Sequence, residues 1–312
     1  MDERHASILC FGEALVEFNQ IPGEASRTLR TFGGDTANFC VAAARSGASA
    51  GFISALGEDP FADLLRAFWR REGIDDRFVR SEPGTSTGSY FVTHDAAGHH
   101  FDYRRAGSAA SGYRAEWLPH EAIAKAALLH LSGVSLAIGE APRQAAFEAM
   151  AIARDSGVRI CLDTNLRLRL WPLAQAREVL LEALRGVAIC LPSWDDISVL
   201  LDLEDRDAIV DSLLRLGIPL IALKLGAEGC YLATAEHRQL VPPYPVQALD
   251  ATGAGDCFAG AFIARILAGD PPFAAARYAN VAAALSTLSY GAVEGIPGSE
   301  RVLAAMGRPN AT

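Results

Sequence analysis

The segment Asp250-Ala251-Thr252-Gly253-Ala254-Gly255-Asp256-Cys257-Phe258-Ala259-Gly260-Ala261-Phe262 sets small residues, an acid and an apolar run in the order an anion-binding helix start requires. Gly253, Ala254 and Gly255 have almost no side chain, so their backbone N–H groups can approach a ligand closely and converge on it. From Asp256 onward, Phe258, Phe262, Ile263, Ile266 and Leu267 recur at three- and four-residue spacing, which predicts a helix with an apolar face. The glycines then stand at its N-terminus, where unpaired N–H groups and the positive end of the dipole favour a phosphate. Asp256, in the first turn, has two readings: it compensates the dipole, or it is a general base accepting a proton from an attacking hydroxyl. With an anion hole beside it the second is the sharper, and the string points to phosphoryl transfer.

A second glycine pair precedes a helix near the N-terminus, in Phe32-Gly33-Gly34-Asp35-Thr36-Ala37-Asn38-Phe39. Gly33 and Gly34 let a polyhydroxylated ligand approach the backbone, and Asp35 or Asn38 can hydrogen-bond it. Helix capping explains Asp35 or Thr36 equally well.

These turns need a scaffold, and the chain supplies one. Short apolar segments at Ser7–Phe11, Ala50–Ala55, Ala127–Ser132, Arg159–Asp163, Val187–Leu191 and Leu220–Leu225 read as buried parallel strands. Between them, helical patterns run over Thr36–Ser46, Pro60–Glu72, Pro142–Ser156, Pro172–Leu184 and Arg206–Leu216. Strand alternating with helix predicts an α/β fold with three layers, α/β/α, around a mostly parallel central sheet. Two stretches break the alternation. Residues 17–32 are rich in turn formers, and residues 87–108 hold Ser89-Tyr90-Phe91-Val92-Thr93, a turn at Asp95-Ala96-Ala97-Gly98, and His100-Phe101-Asp102-Tyr103-Arg104, a hairpin pattern. Together they suit a small β lid over the carboxyl edge of the sheet, where open α/β sheets bind ligands. A decorated surface hairpin is the plainer alternative.

The 312 residues, half of them apolar, are enough for one large domain covering 1–312 with the lid segments inserted. A net charge of −9 argues against a nucleic-acid-binding surface. No apolar run reaches the roughly 20 residues that cross a bilayer, and the charged start Met1-Asp2-Glu3-Arg4-His5 is unlike a signal peptide, so a cytoplasmic protein is expected. Cys10, Cys40, Cys161, Cys190, Cys230 and Cys257 are scattered through apolar runs and read as small buried hydrophobes.

The Gly-Ala-Gly-Asp string resembles the second signature of the ribokinase-like carbohydrate kinases, the phosphofructokinase B family. Ala251 departs from it, standing where that family usually has Thr, Ser, Pro or Val. The Gly33-Gly34 run, followed by Gly47 and Gly57, resembles the family's first signature, and the resemblance covers essentially the whole chain. It implies a ribokinase-like fold, ATP and magnesium as cofactors, Asp256 as base, and an anion hole at Gly253, Ala254 and Gly255. In Ala222-Leu223-Lys224-Leu225-Gly226-Ala227-Glu228-Gly229, it implies that Gly226 and Gly229 shape the nucleotide's phosphate and ribose side, with Lys224 near it. The family's Asn-x-x-Glu magnesium segment is matched by Ser193-Trp194-Asp195-Asp196, with Asp196 in place of the Glu and Ser193 in place of the Asn. Asn280 matches a position near the adenine, a helix-packing role being the alternative. The resemblance also implies a potassium site near Asp250 and Gly291, and a homodimer formed through the lid.

Tyr103-Arg104-Arg105 and Asp163-Thr164-Asn165-Leu166-Arg167 are similar to 2-keto-3-deoxygluconate kinases within the family. That likeness implies that Tyr90, Tyr103, Arg105 and Arg167 line a sugar-acid site, where guanidinium groups would hold the carboxylate. A fructokinase or other neutral-sugar kinase is the nearest alternative. A non-catalytic sugar-sensing protein would be expected to lose Asp256 or the Gly-Ala-Gly run, and both are present.

Overall fold

The computed structural model describes residues 6–21, 27–95 and 98–307; the charged start at residues 1–5 and the hairpin tip at Ala96-Ala97 lie outside the described residues. The chain opens with β1 (Ile8–Phe11), the pair β2 (Leu15–Gln20) and β3 (Thr28–Gly33), α1 (Asp35–Arg45), β4 (Ala50–Gly57) and α2 (Pro60–Glu72). Next come β5 (Val79–Glu82), β6 (Ser89–Asp95), β7 (Gly98–Arg104), α3 (His120–Lys125), β8 (Leu128–Ser132), α4 (Gly133–Ala137), α5 (Glu140–Asp155) and β9 (Arg159–Asp163). Then follow α6 (Leu173–Ala183), β10 (Ile189–Cys190), α7 (Trp194–Leu201), α8 (Arg206–Arg215) and β11 (Leu220–Lys224). The chain ends with β12 (Cys230–Ala233), β13 (Arg238–Val241), α9 (Ala254–Leu267), α10 (Pro272–Ser286) and α11 (Ser299–Met306).

The main sheet has nine strands in the order β13-β12-β11-β10-β9-β8-β1-β4-β5, parallel except for the β11-β12-β13 edge. Along β1 the side chains alternate between two cores: Ile8 and Cys10 join the one built with α1, α2, α9 and α10, while Leu9 and Phe11 join the one built with α5 and α6. Both faces are covered, which is why each strand reads as a continuous apolar run. All six cysteines are free and buried in these cores. The chain runs from β1 to β4 on one side, while β8 to β11 fill the other. The strand order therefore reverses between β1 and β8, and a crevice opens there at the carboxyl ends.

A separate four-stranded sheet, β3-β2-β6-β7, forms the lid. The hairpin expected over residues 87–108 is β6 and β7, paired antiparallel from Ser89 with Arg104 to Asp95 with Gly98. The turn-rich stretch at 17–32 is instead mostly strand, since β2 and β3 pair from Leu15 with Gly33 to Gln20 with Thr28.

One close packing contact sets the site. Gly260 of α9 lies against α1, and a Cβ at Gly260 would stand 2.3 Å from the Phe39 carbonyl oxygen. Only a residue without a side chain permits that approach. It places the first turn of α9 beside the first turn of α1, so the two glycine-rich turns face one another across the crevice.

Candidate active site

The crevice holds a cavity of about 1370 Å³, lined among others by Asp35, Asn38, Tyr90, Ser193, Gly226 and Asp256. Asn38 Nδ2 donates to Asp256 Oδ2 at 2.8 Å, the bond that the α1–α9 packing makes possible. Burial pushes the Asp256 carboxyl up to about 7; the nearby charge of Asp35 adds to this and the Asn38 bond opposes it. A carboxyl poised near neutrality in a cleft is matched to accepting a proton. Asp35 Oδ1 accepts from the N–H of Thr36 at 2.8 Å, and its Oδ2 accepts from Asn165 Nδ2 at 2.8 Å.

The α9 start differs in detail from the expected three-donor hole. Gly253 is the residue before the helix, at φ 74° in the left-handed region, and it packs against the backbone of Ala292. The Ala254 N–H is engaged by the Ala251 carbonyl at 3.1 Å, and Ala254 does not line the cavity, whereas Gly253 and Gly255 do. A helix-start turn closes on its own carbonyl, so one of the three donors is withdrawn. Lys224, at the end of β11, brings its ammonium close to Gly255, since a Cβ there would stand 3.5 Å from Nζ. Lys224 also forms an ion pair with Asp163 at the end of β9. Burial works against the ammonium, but Asp163, joined by Asp256 and Asp196, holds the Lys224 pKa above its usual value.

At the lid side, Tyr90 and Tyr103 stack with centroids 5.3 Å apart, and both line the cavity. The Tyr90 hydroxyl donates to Glu17 on β2. Arg105, just past β7, lies over the Tyr103 ring at 4.0 Å, and its Nη1 is 2.6 Å from Glu13 Oε1. Arg167, in the segment after β9, is half exposed and stands 3.6 Å from Asp196. Burial raises the Asp196 pKa, and Arg167 opposes this. Ser193 is the residue before α7, paired as a bridge with Lys224, and both Ser193 and Asp196 line the cavity.

Four further expected residues serve the site from outside the cavity or brace it. Gly33 does not line it: a Cβ there would fall 2.2 Å from the Tyr90 hydroxyl, so Gly33 makes room for Tyr90, while Gly34, at φ 104°, does face the cavity. Gly229 also stands outside it, at φ 95° and packed against the Val241 carbonyl, whereas Gly226 lines it. The amide of Asn280 donates to the carbonyls of Val241 and Pro242, at 3.1 and 2.8 Å, and so fixes the exit from β13, the packing alternative. Asp250 accepts from the N–H groups of Thr252 at 2.9 Å and Gly291 at 3.0 Å, which ties the glycine turn before α9 to a second loop.

The site also includes residues for which no role was expected. Glu13, Asp163 and Asn165 all line the cavity. Asn165 holds φ at 30°, and strained polar backbone just beyond a strand's carboxyl end is a mark of function. The signal was present in the Asp163-Thr164-Asn165 run. Glu13 carried none beyond its place after the first strand.

A carboxyl near neutrality, a glycine turn at a helix start and a buried ammonium, converging in one cleft of an α/β sheet, are what a phosphotransferase acting on a hydroxyl acceptor requires. The pfkB family carbohydrate kinase pattern matches residues 5–298, and the chain belongs to that family. It is an ATP-dependent sugar kinase. Fructokinase-1 of Oryza sativa subsp. japonica is 34% identical over 98% of this chain and 99% of its own length. The 2-dehydro-3-deoxygluconokinase of Thermoproteus tenax is 33% identical over 95% of this chain and 92% of its own. Among solved structures, the fructokinase of Xylella fastidiosa with bound ATP superposes with a TM-score of 0.86 at 26% identity, covering 96% of this chain and 97% of that one. An E. coli protein assigned as ribokinase II, solved with ATP and magnesium, gives 0.89 at 27% identity, covering 96% and 99%. These neighbours share the ribokinase-like α/β fold. Among the described residues no helix is long and apolar enough to cross a membrane.

Proposed function

We propose that this kinase phosphorylates the terminal hydroxyl of a small sugar acid, of which 2-keto-3-deoxygluconate is the type. The observation that carries the reading is Arg105. It is largely buried in the cavity wall over Tyr103, and its Nε has no hydrogen-bond partner. A buried guanidinium with a donor to spare suits a carboxylate, which it can hold through charge-assisted bonds. Arg167 lines the same cavity from the opposite element. A second reading, a neutral ketose as acceptor, is favoured by the contact of Arg105 with Glu13, which already supplies a counter-charge.

In either case Asp256 accepts the proton of the acceptor hydroxyl, with Asn38 fixing the orientation of its carboxylate. The N–H groups of Gly253 and Gly255, with Lys224 beside them, stabilise the charge on the transferred phosphoryl group, so catalysis rests on positioning and electrostatics. Magnesium neutralises phosphate charge when bound with the nucleotide. Among the described residues no cluster of three or more His, Cys, Asp or Glu side chains could hold a metal alone. Asp196 together with the nucleotide's own phosphates fits magnesium, which commonly takes only one or two carboxylates. Asp250 accepts one backbone N–H on each oxygen, which braces the loop and leaves each oxygen a further lone pair that would suit a potassium ion.

The test is ADP release from 2-keto-3-deoxygluconate and from fructose, by wild type and Arg105→Ala. Loss of a charged hydrogen bond of about 1.5–3 kcal/mol should raise KM for the acid roughly 10- to 150-fold and leave fructose nearly unchanged. A wild type that prefers fructose, with Arg105→Ala affecting both substrates alike, would establish the neutral-sugar reading instead.

A further inference from the structure

The transfer step leaves the buried carboxylate of Glu13 unused. Glu13 sits between β1 and β2, at the carboxyl end of the strand where the sheet order reverses, and its side chain is 1% exposed. It lines the same cavity as Asp35, Arg105 and Asp256. Its Oε1 touches Arg105 Nη1 at 2.6 Å, while its Oε2 is buried without a hydrogen-bond partner. Arg105 Nε is buried and unpartnered as well. An acceptor oxygen and a donor nitrogen therefore stand unpaired on two sides of one ion pair, in the wall of a binding cavity. Buried groups left this way are costly unless a ligand completes them.

We propose that Glu13 is a specificity-determining residue that competes with the acceptor's carboxylate for Arg105 and so sets the preference between acidic and neutral sugars. The proposal rests on the reading that an acidic acceptor meets Arg105. A neutral sugar leaves the Glu13–Arg105 pair intact and offers a hydroxyl to Oε2. A sugar acid draws the guanidinium to its own carboxylate, and Glu13 then faces an anion, with Asp35 as a second negative charge from the α1 side. The arrangement is relieved when Glu13 takes a proton, which also turns it into a donor toward the ligand. The acid thus binds with uptake of one proton and the neutral sugar with none. Burial already pushes Glu13 up to about 7, with Arg105 opposing and Asp35 adding to the rise. Diverting Arg105 to a ligand moves it further in the same direction.

The test is calorimetric binding of 2-keto-3-deoxygluconate and of fructose between about pH 6 and pH 9, in buffers of different ionisation enthalpy. It is run without nucleotide, so that no turnover occurs, and in an Asp256→Asn background, so that this carboxyl does not titrate. Linkage predicts that the Kd for the acid weakens by up to about tenfold per pH unit above about 7, with proton uptake, while fructose stays flat. Adding Glu13→Gln should remove that slope and tighten the acid about tenfold or more at pH 8, with fructose changing less than about threefold, because only the anion was repelled. Equal pH slopes for the two ligands, equal changes on Glu13→Gln, or an acid slope that survives the substitution and so belongs to Asp35, would each overturn the proposal. So would an acid that binds neither form. The slope and proton uptake in Asp256→Asn alone decide the matter if the double variant does not fold. Turnover by wild type is a separate measurement: if it phosphorylates fructose and not the acid, the acceptor reading fails while these binding results still decide the role of Glu13.

Discussion

Replacing Gly253 by Ala should damage phosphoryl transfer far more than the same change two residues later at Gly255. Gly253 holds φ 74°, where an L-residue costs roughly 1–2 kcal/mol, partly offset by about 0.4–1 kcal/mol from the stiffer unfolded chain. Its new Cβ would stand 2.9 Å from the Ala292 carbonyl oxygen, a backbone atom that cannot swing aside as a side chain can. The turn must therefore shift away from the Gly291–Ala292 loop, and displacements of about 1 Å at a reacting centre cost on the order of 10²-fold in rate. Gly255 is different. Its φ lies outside the left-handed region, its nearest neighbour would be Lys224 Nζ at 3.5 Å, and Ala is the better helix former by roughly 0.5–1 kcal/mol. We expect Gly253→Ala to lose about 10²-fold in kcat and a few degrees of Tm, and Gly255→Ala to stay within about tenfold in kcat with equal or higher Tm. Coupled ADP release and thermal denaturation measure both. If Gly253→Ala turns over within about threefold of wild type, the left-handed turn does not shape the phosphate site.

The remaining expectations concern the base. Asp256→Asn should lower kcat by roughly 10²–10⁴-fold while ATP still binds, since the amide keeps the shape and cannot accept a proton; calorimetry with ATP separates this from misfolding. A base at Asp256 would act ionised, and its pKa is raised to about 7, so kcat/KM for a neutral acceptor should fall with pH below that value and level off above it. The Asn38 bond favours the ionised form, so Asn38→Ala should move this acid limb toward higher pH, and a limb that stays in place would show that Asn38 does not tune the base.

The parallel core was legible because its strands are buried on both faces and its helices carry their own punctuation. Helix α2 runs from Pro60 to Glu72, as its pattern predicted. Asp59 caps it through bonds to the N–H groups of Phe61 and Ala62, Pro60 opens it, and Gly73 closes it at φ 69°. The first half of the lid was not legible as strand. On β2 the buried residues include Glu17 and Asn19, which bond to one another at 2.8 Å, so the usual apolar-in alternation is interrupted by a polar pair. The site divides along the same line. Asp256, Asn38 and Gly253 were legible because local sequence around a helix start dictates their geometry, whereas Lys224 was reached only through the family resemblance. Glu13 was not, since its partner Arg105 arrives from the far end of the lid, and pairings across that distance leave no periodic trace. Gly33, Gly229 and Asn280 match motif positions, yet the space and bonds they provide serve Tyr90 and the β13 exit.

That polar pair on β2 also explains how the lid and the glycine turn before α9 are held in register. Glu17 Oε2 accepts from the Tyr90 hydroxyl and, at 3.5 Å, from the Ala292 N–H, while Oε1 accepts from Asn19. Burial raises the Glu17 pKa, and these bonds oppose it. Ala292 is the backbone on which Gly253 rests, and its neighbour Gly291 is fastened to Asp250, which also holds the N–H of Thr252. Thr31 on β3 adds a second tie, donating to Glu294 at 3.0 Å. A continuous path of bonds and contacts thus runs from the stacked tyrosines of the lid, through Glu17 and the 291–294 loop, to the turn at the start of α9. Phosphoryl transfer depends on the separation and alignment of two reacting oxygens about a phosphorus. If the lid holds the acceptor and the helix start the phosphoryl group, as proposed, this polar brace links the two sides directly, in addition to the sheet beneath.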